Sequence, residues 1–362
     1  MAMNLDAYFE DFTARDWQTT DDVRLRFALV GLGQFVRRNV LPAMAETDFC
    51  EVTTLVSGSP EKARRLADEY GADHVIGYDA FERGEATDAY DAVYVGGPNA
   101  LHLDYARAAA DHGKHVLCEK PIETSADRAR EMTEVCESAG VTLMVAYRPR
   151  VEPGMRRLQE MIHDGVLGDP VQIHAWFTGI VLGYDPDPDQ WRLDPDLAGG
   201  GAMVDVGVYP LNASRHLLDS DPVAAQATTS APDPAFDRVE EHVAFQLEFP
   251  GSVTASCGAS YRAHFDDRLT IVGTDGRASI DPAFDAERNP TLTVEVGSER
   301  FEFEGKFVNE VAEEFDYFAH CAATDTTPEP DGWDSVADME TVEAIYESAE
   351  TGQSVEVRIE DR

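Results

Sequence analysis

The sequence predicts an α/β protein in two domains, and three observations predict it. Strand-like and helix-like segments alternate from residue 25 to about 148; the first strand runs directly into a glycine turn; and beyond 149 the pattern changes to alternating strand-like stretches joined by hairpin-like turns. After a polar leader at 1–24, "RLRFALVGLGQFVRRNVLPAM" reads as a short apolar strand, a turn and a helix. "CEVTTLVSGSPEKARRLADEYG" repeats the pattern, its helix opening at Ser59 or Pro60; proline suits a first helical turn, where its missing N–H has no bond to lose. "YDAVYVGGPNALHLDYARAAADHG" and "KHVLCEKPIETSADRAREMTEVCESAG" are a third and a fourth unit, and "VTLMVAYR" is a further strand. Such alternation predicts a parallel sheet covered on both faces at 25–148.

Residues 149–362 predict an α+β domain with an antiparallel or mixed sheet. One helix is expected at 151–164, and others at about 203–218, 308–323 and 334–349. Strands are expected in "PVQIHAWFTG", "HVAFQLEF", "GSVTASCGAS", "RLTIVGTDGRASI" and "TLTVEVGSERFEFEG". "GYDPDPDQWRLDPDLAGGGAM" is too polar and interrupted for a strand and predicts a loop over a site.

Composition excludes several classes. The chain carries 69 acidic and 29 basic residues, a formal charge of −40, and the imbalance runs along its whole length. Self-repulsion of that size is tolerable where near-molar salt shrinks the Debye length to about 3 Å, which points to a very salty cytoplasm. Of the basic residues 25 are arginine and four are lysine, and no stripe of positive charge exists for nucleic acid or an anionic membrane. Cys50, Cys118, Cys136, Cys257 and Cys321 are scattered without a metal-ligand spacing, which predicts free thiols, a reducing compartment and no metal. The leader lacks the order of a signal peptide and no apolar run is long enough to span a bilayer, so a cytoplasmic protein is expected.

Gly31 permits a tight turn after the first strand, and Gly33 removes a side chain that would block a pyrophosphate from the helix beginning at Gln34. Val36 stands where the full fingerprint has a small residue, which would set the helix slightly farther from the strand. After the second strand an NAD site usually places Asp or Glu, whereas here Ser57 and Gly58 occupy the turn, with Lys62 and Arg65 in the next helix. Arg37 and Arg38 would also reach the adenosine end. This pattern predicts NADP over NAD. Gly96 and Gly97 leave room for the nicotinamide half, Pro98 and Asn99 form a rigid turn, and His102 either touches the cofactor or substrate or serves as an ordinary cap.

Lys120 directly follows the strand "HVLC" at the carboxyl end where open α/β sheets bind ligands, and Pro121 stiffens the backbone that carries it. A lysine there can hold a substrate hydroxyl and favour a nearby phenolate. In "AGGGAMVDVGVYPLNASRHLL" the helical register places Asp205 and Tyr209 four apart on one face, a candidate pair for removing a hydroxyl proton. Arg148, Trp191 and Arg192 are candidates for holding sugar hydroxyls or, more plainly, for a strand-end salt bridge and a loop anchor. Tyr184 and His174 are weaker candidates.

In "GLGQFV", "VSGSPEKA", "GGPNALH", "CEKP", "AYR" and "GGGAMVDVGVYPLN" the chain resembles the glucose-fructose oxidoreductase, inositol dehydrogenase and MocA family over nearly all its length beyond the leader. "EKP" together with "GGGAMVDVGVYPLN" is specific, while the glycine loop alone is not. The resemblance implies an N-terminal Rossmann dinucleotide-binding domain with a C-terminal α+β domain containing a large open, mostly antiparallel sheet that serves oligomerisation, as a homodimer or homotetramer. From the residues and the resemblance together, cofactor contacts are expected at Gly31, Gly33, Gln34, Phe35, Arg37, Arg38, Ser57, Gly58, Lys62, Pro98, Asn99, His102, Glu119, Lys120 and Arg148. The resemblance implies a metal-free catalytic set of Lys120, Tyr209 and Asp205, beside which the residues themselves offer Arg148, Trp191 and Arg192 as substrate candidates. Many members have histidine where Tyr209 stands, and tyrosine resembles the glucose-fructose oxidoreductase branch. The acidic composition with "DPDQWRLD" and "EEFDYFAHC" is similar to that of the NADP-dependent D-xylose dehydrogenases of salt-loving archaea, so oxidation of D-xylose to D-xylonolactone is the expected reaction. Alternatives are another aldose or polyol, such as glucose, arabinose or inositol, and a regulator that senses NADP and sugar without turnover. Departures from the family pattern are Val36 and "GGPN", where a threonine usually precedes Pro-Asn.

Overall fold

The computed structural model describes residues 5, 13–286, 288–304 and 308–360; residues 1–4 and 6–12 of the leader lie outside them. The described chain forms two compact units. The first contains a six-stranded parallel sheet of β1 (Leu25–Val30), β2 (Cys50–Val56), β3 (His74–Ile76), β4 (Ala92–Val95), β5 (His115–Glu119) and β6 (Leu143–Ala146), in the order β3-β2-β1-β4-β5-β6. β1 pairs with β2 on one side and β4 on the other, so the strand order reverses there and opens a crevice at their carboxyl ends. Helices cover both faces, which is why β4 and β6 are buried throughout and read as continuous apolar runs. The helix Pro60–Tyr70 opens on Ser59 with proline in its first turn, as the sequence predicts. β3 and the short helix Tyr78–Glu82 carry too few apolar residues for a sequence pattern.

The helix Glu310–Thr324 and the chain up to Val336 cluster with this unit, which differs from a single division at 148/149. The reason is packing. Phe315 and Phe318 are fully buried with ring centroids 4.9 and 5.9 Å from Phe27, and Phe315 lies 5.3 Å from Tyr94. The Asp316 carboxylate accepts the backbone N–H groups of Asp48 and Phe49, the latter at 2.9 Å. The end of the leader joins them, with Trp17 edge-on to Tyr317 and the Thr19 amide donating to His320 at 3.0 Å.

The second unit is built on a nine-stranded sheet. Its strands are β7 (Pro170–Ile180), β8 (Ala224–Ser230), β9 (His242–Glu248), β10 (Thr254–Ser260), β11 (Arg262–Gly273), β12 (Gly276–Asp281), β13 (Thr291–Val296), β14 (Glu299–Glu304) and β15 (Val355–Glu356). The order is β14-β13-β12-β11-β7-β10-β9-β8-β15, and of its pairings only β7–β10 is parallel. Alternation sorts the faces: Val243, Phe245 and Leu247 of β9 are buried, while Ala244, Gln246 and Glu248 are exposed. The helix Val208–Leu218 packs on β7 and β10. β8 and β15 are not predicted from the sequence, because "AAQATTS" is weakly apolar and β15 has two residues. No helix among the described residues is long and apolar enough to cross a membrane.

Phe315 sits on both β1 and β4 through Phe27 and Tyr94. Phe315→Ala is expected to cost about 3–5 kcal/mol of unfolding free energy, read from urea denaturation in near-molar KCl.

Candidate active site

At the carboxyl end of β1, Gly31 has φ +85° and any Cβ there would lie 2.0 Å from the Gly96 carbonyl oxygen, so two strand ends meet through bare backbone. Gly33 is the opposite case: it is exposed and a Cβ would meet nothing within 4 Å, which leaves open space where the backbone turns into Gln34. A pyrophosphate fits that space against the N–H groups of the first turn. The residues from Val36 form a π turn, Val36–Val40, and a Cβ on Gly96 would lie 3.3 Å from Val36. The larger side chain is thus accommodated over a glycine of the neighbouring strand end. Phe35 packs partly buried against the core, and Gln34, with its amide oxygen toward Arg38, accepts from that guanidinium at 2.9 Å.

The turn after β2 gathers positive charge. Ser57 Oγ accepts the Ser59 N–H at 3.1 Å and closes the turn, with Gly58 against Tyr78. Lys62 reaches back to donate to the Leu32 carbonyl at 2.9 Å, and Arg37 Nε donates to Gly33 at 3.2 Å. Burial lowers the pKa of Lys62, and the charge of Arg37 lowers it further. Two cations near enough to repel one another, with no carboxylate in the turn, suit an added phosphate on the adenosine ribose. Arg65 is exposed on the same helix. The open space at Gly33 and this cation pair fit a phosphorylated dinucleotide.

Lys120 follows β5 at the sheet's carboxyl edge and is partly exposed. The preceding Glu119 accepts the Tyr94 hydroxyl at 2.6 Å; burial raises its pKa, against the pull of Lys120. His102 is fully buried, with Nδ1 3.1 Å from the Pro121 carbonyl and 3.3 Å from that of Ile122. Burial lowers its pKa, so the ring is neutral and Nδ1–H donates. The ring thereby braces the chain just after Lys120. Asn99 is buried and Pro98 half-buried beside it. Arg148 lies just beyond β6. It is 6% exposed and its guanidinium is held by Glu310 at 2.6 Å, so the strand-end salt bridge is what the structure contains.

In the second unit the three glycines enter a helical segment through an unexpected cap. The Glu240 carboxylate accepts the N–H of Gly201 at 2.9 Å, the N–H of Met203 at 2.8 Å and the hydroxyl of Tyr346 at 2.8 Å. A Cβ on Gly201 would lie 2.2 Å from the Glu240 carbonyl oxygen, and one on Gly200 2.0 Å from the Tyr346 hydroxyl, so close approach explains the run. Asp205 sits in a π turn, Met203–Gly207, and Tyr209 in the helix Val208–Leu218 that follows, rather than both on one regular α-helical face.

Their surroundings differ. Asp205 Oδ2 accepts the Tyr261 hydroxyl at 3.2 Å and pairs with Arg192 Nε at 3.3 Å, and the Arg192 guanidinium lies 4.5 Å over the Trp191 ring. Tyr209, 7% exposed, lies edge-on to Phe177 at 5.4 Å and tilted against Phe284 at 5.9 Å. Asp267 fixes Phe284 by accepting its N–H at 2.8 Å. One helical turn beyond Tyr209, Asn212 is gripped by Arg150 at 2.8 Å and donates to Asp338 at 2.7 Å. Tyr184 is exposed, and His174 alternates with buried Ile173 and Ala175, so it faces away from the helix that carries Tyr209. Tyr261, Glu240, Tyr346, Phe177 and Phe284 escape the sequence reading, since none stands in a motif. Among the described residues no cluster of His, Cys, Asp or Glu is arranged to hold a metal.

Comparison with known proteins places this architecture. Residues 25–147 match the oxidoreductase family model with an NAD-binding Rossmann fold, and residues 155–279 match the GFO/IDH/MocA C-terminal domain. A D-xylose 1-dehydrogenase (NADP(+)) of Haloarcula marismortui is 44% identical over 98% of this chain and 99% of its own length. A second D-xylose 1-dehydrogenase (NADP(+)), from Haloferax volcanii, is 36% identical over 92% of this chain and 100% of its own. The crystal structure of the aldose-aldose oxidoreductase of Caulobacter crescentus, complexed with glycerol, superposes with a TM-score of 0.87 at 34% identity, covering 92% of this chain and 99% of that one. With the glycine turn, the strand order and the matched residues agreeing, the chain belongs to the GFO/IDH/MocA family of oxidoreductases, and its parallel-sheet unit is the NAD-binding Rossmann domain.

Proposed function

We propose that the protein oxidises an aldose at C1 with NADP+, and that the aldose is D-xylose, giving D-xylonolactone. The observation that carries the reading is a pair of chemistries four residues apart: an ionic setting for Asp205 and an aromatic wall around Tyr209. A sugar offers hydroxyl edges to the first and a C–H face to the second. The likeness to the two archaeal D-xylose dehydrogenases supports the substrate, and the Lys62–Arg37 pair beside Ser57 supports the phosphorylated cofactor.

Gly33, Ser57, Lys62 and Arg37 would hold the dinucleotide, which when bound supplies the acceptor for the two electrons of the C1–H bond. Tyr209 takes the proton of the C1 hydroxyl. The chemical role assigned to Lys120 is that of an ammonium, which favours a phenolate over a phenol. Asp205 orients the sugar through its hydroxyls, with Trp191 and Arg192 beside it. The phenylalanines exclude water on the other side, which strengthens each of these electrostatic terms.

The oligomer is part of the same proposal. The sheet face turned away from the helix Val208–Leu218 carries Gln172, His174, Ser256 and Gln246 at its centre, half-exposed Trp176 lies over Gly258, and Arg268 beside it is ion-paired with Asp266. A face with few carboxylates on a chain of charge −40 suits a second copy of the chain, giving a homodimer or homotetramer. Trp176→Glu is expected to yield a smaller species in light scattering after size exclusion; an unchanged mass would place the contact elsewhere.

NADPH formation in near-molar KCl, with xylose, arabinose, ribose, glucose and inositol compared under NADP+ and NAD+, tests the reading. Rapid NADP+-dependent turnover of xylose is expected, and tight NADP+ binding with no turnover of any sugar would favour the sensing role instead. Tyr209→Phe and Lys120→Met are each expected to lower kcat by roughly 10²–10⁴-fold with NADP+ affinity retained. Ser57→Asp would return a carboxylate to the turn after β2. It is expected to weaken NADP+ by roughly tenfold, about 1.4 kcal/mol, and to spare NAD+, as read by calorimetry.

A further inference from the structure

Two donors from distant parts of the second unit converge on one oxygen of Asp205. Arg192 comes from the short turn Trp191–Leu193 in the proline-rich loop, and Tyr261 from the single residue that links β10 to β11. Tyr261 is fixed in every part. Its N–H donates to the Glu241 carbonyl at 2.9 Å, its carbonyl accepts from Val181 at 2.9 Å, and its ring lies 6.0 Å from Phe236. It is 3% exposed, so a ligand has almost no surface of it to touch.

We propose that Tyr261 is a positioning residue for the reaction: with Arg192 it clamps Oδ2 of Asp205 and sets the direction in which that carboxylate meets a sugar hydroxyl. This rests on the reading of Asp205 given under Proposed function. A carboxylate on a rotatable side chain needs such a clamp, because small misplacement of an orienting group costs turnover. The charged and titratable groups around the clamp are Arg192, Asp205, Glu240 and, beside Arg192, Tyr184. Burial and the charge of Asp205 push the Tyr261 phenol well up, so it stays protonated and donates throughout the working range. Because the backbone of Tyr261 also anchors Val181, it holds the start of the segment that leads to Arg192. Both donors are therefore referenced to one point at the ends of the central strands β10 and β11.

The test is a double-mutant cycle of Tyr261→Phe and Asp205→Ala, read twice: in steady-state kinetics with xylose and NADP+, and in urea unfolding. Phenylalanine keeps the ring and removes only the donor. The expected result is a roughly tenfold loss of kcat/KM in Tyr261→Phe with unchanged NADP+ affinity. The acid limb of the pH profile should also move upward, since a carboxylate loses a donor that favours its charged form. In the Asp205→Ala background the same change should cost less than about twofold, which a merely structural role would not produce. An unaltered kcat/KM, or an equal loss in both backgrounds, overturns the proposal. A wild-type protein that turned over no aldose would sink the reading of function instead. Non-additive unfolding energies would then preserve the clamp as a contact, and additive ones would remove it.

Discussion

The arrangement of the second unit depends on one buried carboxylate. Glu240 takes the first free N–H groups of the segment that carries both Asp205 and Tyr209, and Tyr346 saturates it from the helix Gly332–Thr351. An enclosed carboxylate is costly unless its lone pairs are used, and burial does raise its pKa against the pull of these donors. The geometry leaves no room for a side chain at Gly200 or Gly201. The segment starts at this carboxylate, continues through a π turn, and places Asp205 and Tyr209 in different surroundings within the unit. The polar wall is held by Arg192 and Tyr261, and the apolar wall by Phe177 and Phe284.

In the Rossmann unit the equivalent role belongs to bare backbone. Gly31 against Gly96 lets two strand ends close up, and the same glycine seats Val36. Around that point the chain spends its scarce lysines. Two of the four stand at the carboxyl end of the parallel sheet, Lys62 bonded to the Leu32 carbonyl behind the first glycine turn and Lys120 at the end of β5. A surface of charge −40 repels an anionic dinucleotide at long range, so a local pair of cations matters most where salt has screened the rest.

Much of this was legible in the sequence because it is local. The βα repeats, the glycine turn, the Ser59–Pro60 helix start and the position of Lys120 each need only neighbouring residues and a known period. What escaped is set by partners far along the chain. Arg148 meets Glu310, the helix Glu310–Thr324 returns to β1 through Phe27, and Asp205 meets Tyr261; no periodicity encodes such pairs. His102 was legible as special, whereas its full burial and its contact with the Pro121 carbonyl were not. The i,i+4 spacing of Asp205 and Tyr209 predicted one regular helical face and missed the π turn, which spacing alone does not encode. β8 was missed for lack of apolar side chains; its place between β9 and β15 supplies the pairing that its composition does not advertise.

The central claim is that the bond broken is C1–H of an aldose, with its electrons passing to NADP+. Oxidation of D-xylose deuterated at C1, followed by mass analysis of the reduced cofactor, tests it most directly. The account predicts NADPH carrying the deuterium and a slower rate than with unlabelled sugar. Reduced cofactor free of deuterium, with the label still on the product, would contradict it.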